Sequence, residues 1–230
     1  MNLRFATDRG PRIACILVAL ALVSACGARG PSTIPVASPD AQAATHLTAA
    51  QAALAQEDLA TAEREYRAAV EADPQSAKAR AGLGTVLVRA GKLQDAESAF
   101  LASLKLNPKQ ADVHANLGVV YYQQGEMPAA AASFEEALRQ NANDAATLYL
   151  LAAVRLQQKD LAAAESLLKK AQSLDPRLPE VYYGLGVLYR LQGQPQDAIA
   201  AFEKFIEIGP GQDPSAADHA RRELEALRAE

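Results

Sequence analysis

Prolines recur in this chain at a fixed interval. Pro74, Pro108, Pro176 and Pro210 stand 34, 68 and 34 residues apart. Glycines keep the same interval, as Gly84, Gly118 and Gly186 and again as Gly91, Gly125 and Gly193. Counting from Ala43, five windows fit without insertion: 43–76, 77–110, 111–144, 145–178 and 179–212. A unit this short cannot bury its apolar face alone, so the chain must stack copies of it, each resting on its neighbours.

Other positions recur in the same phase. Position eight is small in every window: Ala50, Gly84, Gly118, Ala152 and Gly186. Position twenty is always alanine: Ala62, Ala96, Ala130, Ala164 and Ala198. Position twenty-four is large: Tyr66, Phe100, Phe134, Leu168 and Phe202. Position thirty-two is proline except at Ala142. Apolar residues at positions four, seven, eight and eleven share one face of a first helix; those at twenty, twenty-four, twenty-seven and twenty-eight share one face of a second. This pattern resembles the tetratricopeptide repeat (TPR) over residues 43–212. The resemblance implies an all-α fold: a right-handed α-solenoid of five helix-turn-helix repeats, closed by a C-terminal capping helix over 213–230.

Glycine inside a helix costs about 1 kcal/mol against alanine, yet Gly184 and Gly186 both interrupt the apolar stripe of Val181, Leu185 and Leu188. Close approach of packed helices accounts for Gly186, which is expected to oppose Ala198 with Phe202 filling the space beside it. Gly184, at position six, has no place in the pattern. A nucleotide-binding reading of Gly-Leu-Gly fails, because the fingerprint needs a preceding strand and a third glycine where Tyr189 stands. Gly193 is placed to cap the first helix in a left-handed conformation, and Pro210 to stop the second.

Three departures carry expectations. The first window offers only His46, Ala49, Ala50 and Ala53 on its packing face, as suits an atypical terminal repeat liable to fray. Arg155 and Lys159 in the fourth window predict looser or rotated packing. Phe205 replaces the usual small residue at position twenty-seven. It is expected to lie under a closing helix over 215–229, capped by Asp213 or Ser215 and carrying the stripe Ala217, Ala220, Leu224 and Leu227.

The first residues do not belong to the repeats. Arg4, Arg9 and Arg12 precede the apolar run Ile13–Val23, which has signal-peptide length and is too short to span a membrane. It ends in Val23-Ser24-Ala25-Cys26, which resembles the lipobox of bacterial lipoproteins. The reading is a signal peptide over 1–25, acylation of Cys26 and a proline-containing flexible tether over 26–42. Acyl chains such as diacylglycerol and palmitate on one residue would hold the protein stably on a membrane. Gly27, rather than aspartate, follows the cysteine; by resemblance to Gram-negative lipoproteins this implies the outer membrane, facing the periplasm. Cleavage would take away three Arg and one Asp, moving the net charge from −4 to −6. With Cys15 removed and Cys26 acylated, no thiol is left for a disulfide, a metal site or a nucleophile.

Neither a metal nor an organic cofactor is expected. His46, His114 and His219 are far apart in the array, and no zinc-protease signature, cysteine cluster or nucleophile elbow occurs. The residues of a catalytic constellation are therefore missing, and no small-molecule substrate is expected. A net negative charge argues against nucleic acid.

Function is expected on the concave side. In the TPR family that surface comes mainly from positions two, five, nine, twelve and thirteen of the first helices. The residues there, with Asn116, form the candidate groove: Arg89, Asn116, Val119, Tyr122, Tyr149, Leu156, Tyr183, Val187 and Arg190. An apolar strip with aromatic hydroxyls suits a protein segment, although stacking of the tyrosines across repeats is an alternative use for them. Asn116 matches one position of the carboxylate clamp found in chaperone-binding TPR domains, but its Lys and Arg partners are lacking. The expected role is a non-enzymatic, membrane-anchored adaptor for protein partners of the cell envelope. The architecture resembles lipoproteins of type IV or tight-adherence pilus assembly, in which the TPR domain aids secretin assembly. Recruitment of peptidoglycan hydrolases or synthases, and an enzyme acting on cell-wall glycans, are the alternatives.

Overall fold

The computed structural model describes residues 38–209 and 214–229, all within the unit Ala37–Glu230. The signal segment, Cys26, Pro210 and Asp213 lie outside the described residues. Among those residues there are eleven helices and no strand. The first four are α1 (Pro39–Ala55), α2 (Leu59–Ala72), α3 (Ala77–Arg89) and α4 (Leu93–Leu106). Then come α5 (Ala111–Gln124), α6 (Met127–Gln140), α7 (Ala145–Gln157) and α8 (Leu161–Leu174). The last are α9 (Pro179–Leu191), α10 (Pro195–Ile208) and α11 (Pro214–Ala229). Helices α3, α5, α7 and α9 start on the first residue of windows two to five.

The chain is an all-α solenoid. Each odd-numbered helix from α1 to α9 packs on the helix that follows it, and each pair packs on the next. α3 also touches α5, α5 touches α7 and α7 touches α9, so the first helices of successive pairs form a continuous layer. The alanines at position twenty are all fully buried, and so are Phe100, Phe134, Leu168 and Phe202.

Two glycine positions receive these large side chains. A Cβ on Gly186 would come within 2.6 Å of the Phe202 ring, so the ring, more than Ala198, excludes a side chain there. Position six is explained by the repeat before it. On Gly184 a Cβ would stand 2.8 Å from Leu168 Cδ2 and 3.4 Å from Tyr149 Cε2. On Gly82 it would collide with the Tyr66 ring. The position-twenty-four side chains Tyr66 and Leu168 thus press against position six of the following repeat, which is why glycine interrupts those two helices.

Every first helix ends in the same way. Position fifteen has positive φ in all five windows: Glu57 at 59°, Gly91 at 72°, Gly125 at 80°, Lys159 at 61° and Gly193 at 70°. The next residue's N–H then donates back to the carbonyl of position eleven, as from Lys92 to Leu87 and from Asp160 to Arg155, both at 2.9 Å. This is the bonding of a Schellman cap. The second helices stop before the proline. Asp73, Asn107, Asn141 and Asp175 leave the helix with φ between −139° and −132°, the extended conformation required ahead of proline. Asn141 does so although Ala142 follows it.

Two expected boundaries need correction. The tether was placed at 26–42, but α1 begins at Pro39, with the Ser38 hydroxyl accepting from the Ala41 N–H; residues 39–42 are helical. The core positions of the fourth repeat are filled, since Leu148, Leu151, Ala152, Val154, Ala164, Leu168 and Ala171 are all buried. Arg155 fits because its stem can lie along the helix while its guanidinium pairs with Glu135 on α6. Lys159 fits by taking the left-handed cap itself. The closing helix begins at Pro214 and ends at Ala229. As expected, it covers Phe202 and Phe205 with Ala217, Ala220, Leu224 and Leu227, so its apolar stripe is buried within the chain.

Candidate protein-binding groove

The nine candidate residues lie on α3, α5, α7 and α9. Arg89 and Arg190 are exposed, and the other seven are half-buried. The apolar members rest on different parts of the core. Val119 and Tyr122 pack beside Phe134 and Val154, Tyr149 and Leu156 beside Leu148 and Leu168, and Tyr183 and Val187 beside Phe202 and Phe205. Their partial exposure fits a surface that is itself anchored in the core.

The three tyrosines are held differently. Tyr122 hands its hydroxyl to the next repeat, where Gln157 Nε2 donates to it at 2.7 Å. Tyr149 approaches Gly184, whose missing side chain leaves room for the ring edge. Tyr183 meets Phe202, Phe205 and the His219 ring edge-on, with centroids 6.1, 5.4 and 5.8 Å away, and its hydroxyl lies 3.1 Å from His219 Nδ1. Arg190 is paired with Glu223 of α11 at 2.6 Å. Asn116 is half-buried on α5, and nothing in the structure gives it a specific role.

At one end of this surface α7, α9, α10 and α11 enclose a cleft of about 340 Å³. Tyr149, Tyr183, Phe205, Glu180, His219 and Arg222 line it. Sequence reasoning placed Tyr149 and Tyr183 on the candidate list. Glu180 stands at position two of the fifth window, one of the concave positions, but is not among the candidates, and neither are His219 and Arg222. Those two come from the non-repeating helix, for which the 34-residue phase carries no information.

The remaining histidines are bound elsewhere. His46 donates to Glu65 at 2.8 Å, and that bond, reinforced by Arg64, lowers the Glu65 pKa below its ordinary value. His114 Nε2 donates to the Pro108 carbonyl at 3.0 Å. Among the described residues no group of three His, Cys, Asp or Glu side chains is placed to hold a metal, and no helix is long and apolar enough to cross a membrane.

Comparison with known proteins agrees with this architecture. Tetratricopeptide repeat family models match residues 47–111, 82–146 and 143–210. No curated protein is similar enough in sequence to match. Among solved structures, the fold resembles PilF of Pseudomonas aeruginosa with a TM-score of 0.69 at 22% identity, over 82% of this chain and 90% of that one. It resembles MamA with a TM-score of 0.64 at 22% identity, over 72% and 91% of the two chains. It also resembles YrrB, described as a TPR protein with an unusual peptide-binding site, with a TM-score of 0.62 at 24% identity, over 78% and 92%. At these identities the likeness concerns the fold.

Proposed function

The chain belongs to the tetratricopeptide repeat family, and on that premise we propose that it is a non-enzymatic adaptor, tethered to the outer membrane through acylated Cys26, that holds a segment of another envelope protein against the concave face. Proteins of this family are generally scaffolds for other proteins. The observation that carries the reading is the row of half-buried Tyr122, Tyr149 and Tyr183 on successive first helices. Each side chain packs against the core and stays partly exposed, as aromatic anchors that bind a partner at little entropic cost do. The lipobox-like run ending at Cys26 supports the anchor, and the combination of an acylated tether with a TPR array, which resembles pilus-assembly lipoproteins, is the ground for proposing a role in pilus or secretin assembly.

Photo-crosslinking in intact cells tests the groove. A crosslinker at Tyr122 or Tyr183 should capture a discrete partner that one at Leu174, an exposed residue of α8, does not capture. Equal yields from both sites, or none from the groove, would reject the assignment. Mass spectrometry of the membrane-extracted protein tests the anchor. It should show a chain beginning at Cys26 with added acyl mass.

A further inference from the structure

The cleft enclosed by α11 has one polar group without a partner among the described residues. Glu180 stands in the first turn of α9, where a negative charge is favourable. Its Oε2 is shut off from water and has no hydrogen-bond partner among the described residues. A carboxylate stripped of part of its hydration in this way attracts a cationic donor strongly. Tyr149, Tyr183 and Phe205 line the same cleft. Aromatic rings favour the aliphatic stem of a long basic side chain and, through their faces, the cation itself.

Among the described residues, the other ionisable groups of the cleft are engaged elsewhere or exposed. His219 is engaged with the Tyr183 hydroxyl at 3.1 Å and with Glu223 at 3.5 Å. Arg222 lines the cleft but is exposed, so water screens its charge. The chain as a whole is acidic, with a net charge of −4, which also favours a basic partner.

We infer that this cleft is an anchor pocket for a lysine or arginine side chain of the segment bound in the groove, with Glu180 pairing the cation and Tyr149, Tyr183 and Phe205 packing its stem. The inference rests on the groove reading for the source of the side chain. Its chemistry can be tested without any partner.

The probes are N-acetyl-lysine methylamide and N-acetyl-arginine methylamide, titrated into isotope-labelled full-length protein in detergent and followed by NMR. The norleucine and glutamate analogues serve as neutral and acidic controls. The basic probes should shift the amide signals around Glu180 and Tyr183 saturably. E180Q should weaken them by about tenfold, the loss expected for one charge-assisted hydrogen bond. R222A should leave binding unchanged or tighten it. Absence of saturable shifts, equal binding of norleucine, preference for the glutamate probe, or full binding to E180Q with native helicity would each overturn the pocket. Failure here alongside successful crosslinking from Tyr122 removes the pocket and leaves the groove. Success here with no crosslinked partner does the reverse.

Discussion

The ring of Tyr66 on α2 occupies the place that a methyl group on Gly82 of α3 would need. Tyr66 is buried and Gly82 half-buried, and neither belongs to the repeat that the other defines. Gly82→Ala would gain about 1 kcal/mol of helix propensity and lose about 1–3 kcal/mol to overpacking. The ring, only 4% exposed, has little room to retreat. The expected outcome is net destabilisation, read as a lower urea midpoint. An unchanged midpoint would mean that the α2–α3 junction is softer than its packing suggests.

Glu57 and Lys159 hold left-handed backbone conformations that glycine holds in the other three windows. A non-glycine residue there is strained by about 1–2 kcal/mol. Part of the gain from glycine is offset by its freer unfolded chain. Lys159→Gly should therefore raise stability by about 0.5–1 kcal/mol. Gly125→Ala should lower it by a similar amount without disturbing any neighbour, since nothing lies within 4 Å of a Cβ at that site. Thermal unfolding of the two variants should move in opposite directions.

Acid should loosen the first two repeats before the rest. Asp58 caps α2 through the Thr61 N–H at 3.0 Å, and that bond lowers its pKa. Glu63 is held below its ordinary value by Lys92 of the next repeat at 2.8 Å and then by Arg67. A folded-state pKa below the unfolded one contributes stability that is complete above the unfolded value and is lost as pH falls through the folded one. The loss should set in as pH falls into the ordinary carboxylate range and finish below it. In D58N the cap is kept without its charge, so the fall in urea midpoint between neutral pH and pH values below that range should become shallower. A slope identical to the parent's would show that these carboxylates do not govern acid unfolding.

Phe205 fills the space beneath α11 together with Leu224 and Leu227. Phe205→Ala should cost about 3–5 kcal/mol if the site cannot collapse. It should also uncouple α11, seen as faster hydrogen exchange over residues 214–229 than in the parent. Exchange unchanged in α11 would place the helix's hold elsewhere.

The 34-residue phase alone determined the ten repeat helices, their pairing and their buried faces. It could do so because each contact in a solenoid is made with the nearest repeat, so one local rule is read many times over. It also marked Tyr149 and Tyr183 at position five and Tyr122 at position twelve, all on the concave side of the first helices. Tertiary structure decided what the phase does not carry. Gly184 became intelligible only when Leu168 and Tyr149 were seen on either side of it, and Arg155 only when Glu135 was found within reach. The cleft at Glu180 needed α11, a helix outside the repeat, folded back onto α9 and α10. Local periodicity encodes contacts that repeat; a site built once, from residues distant in the chain, exists only after the chain has closed on itself.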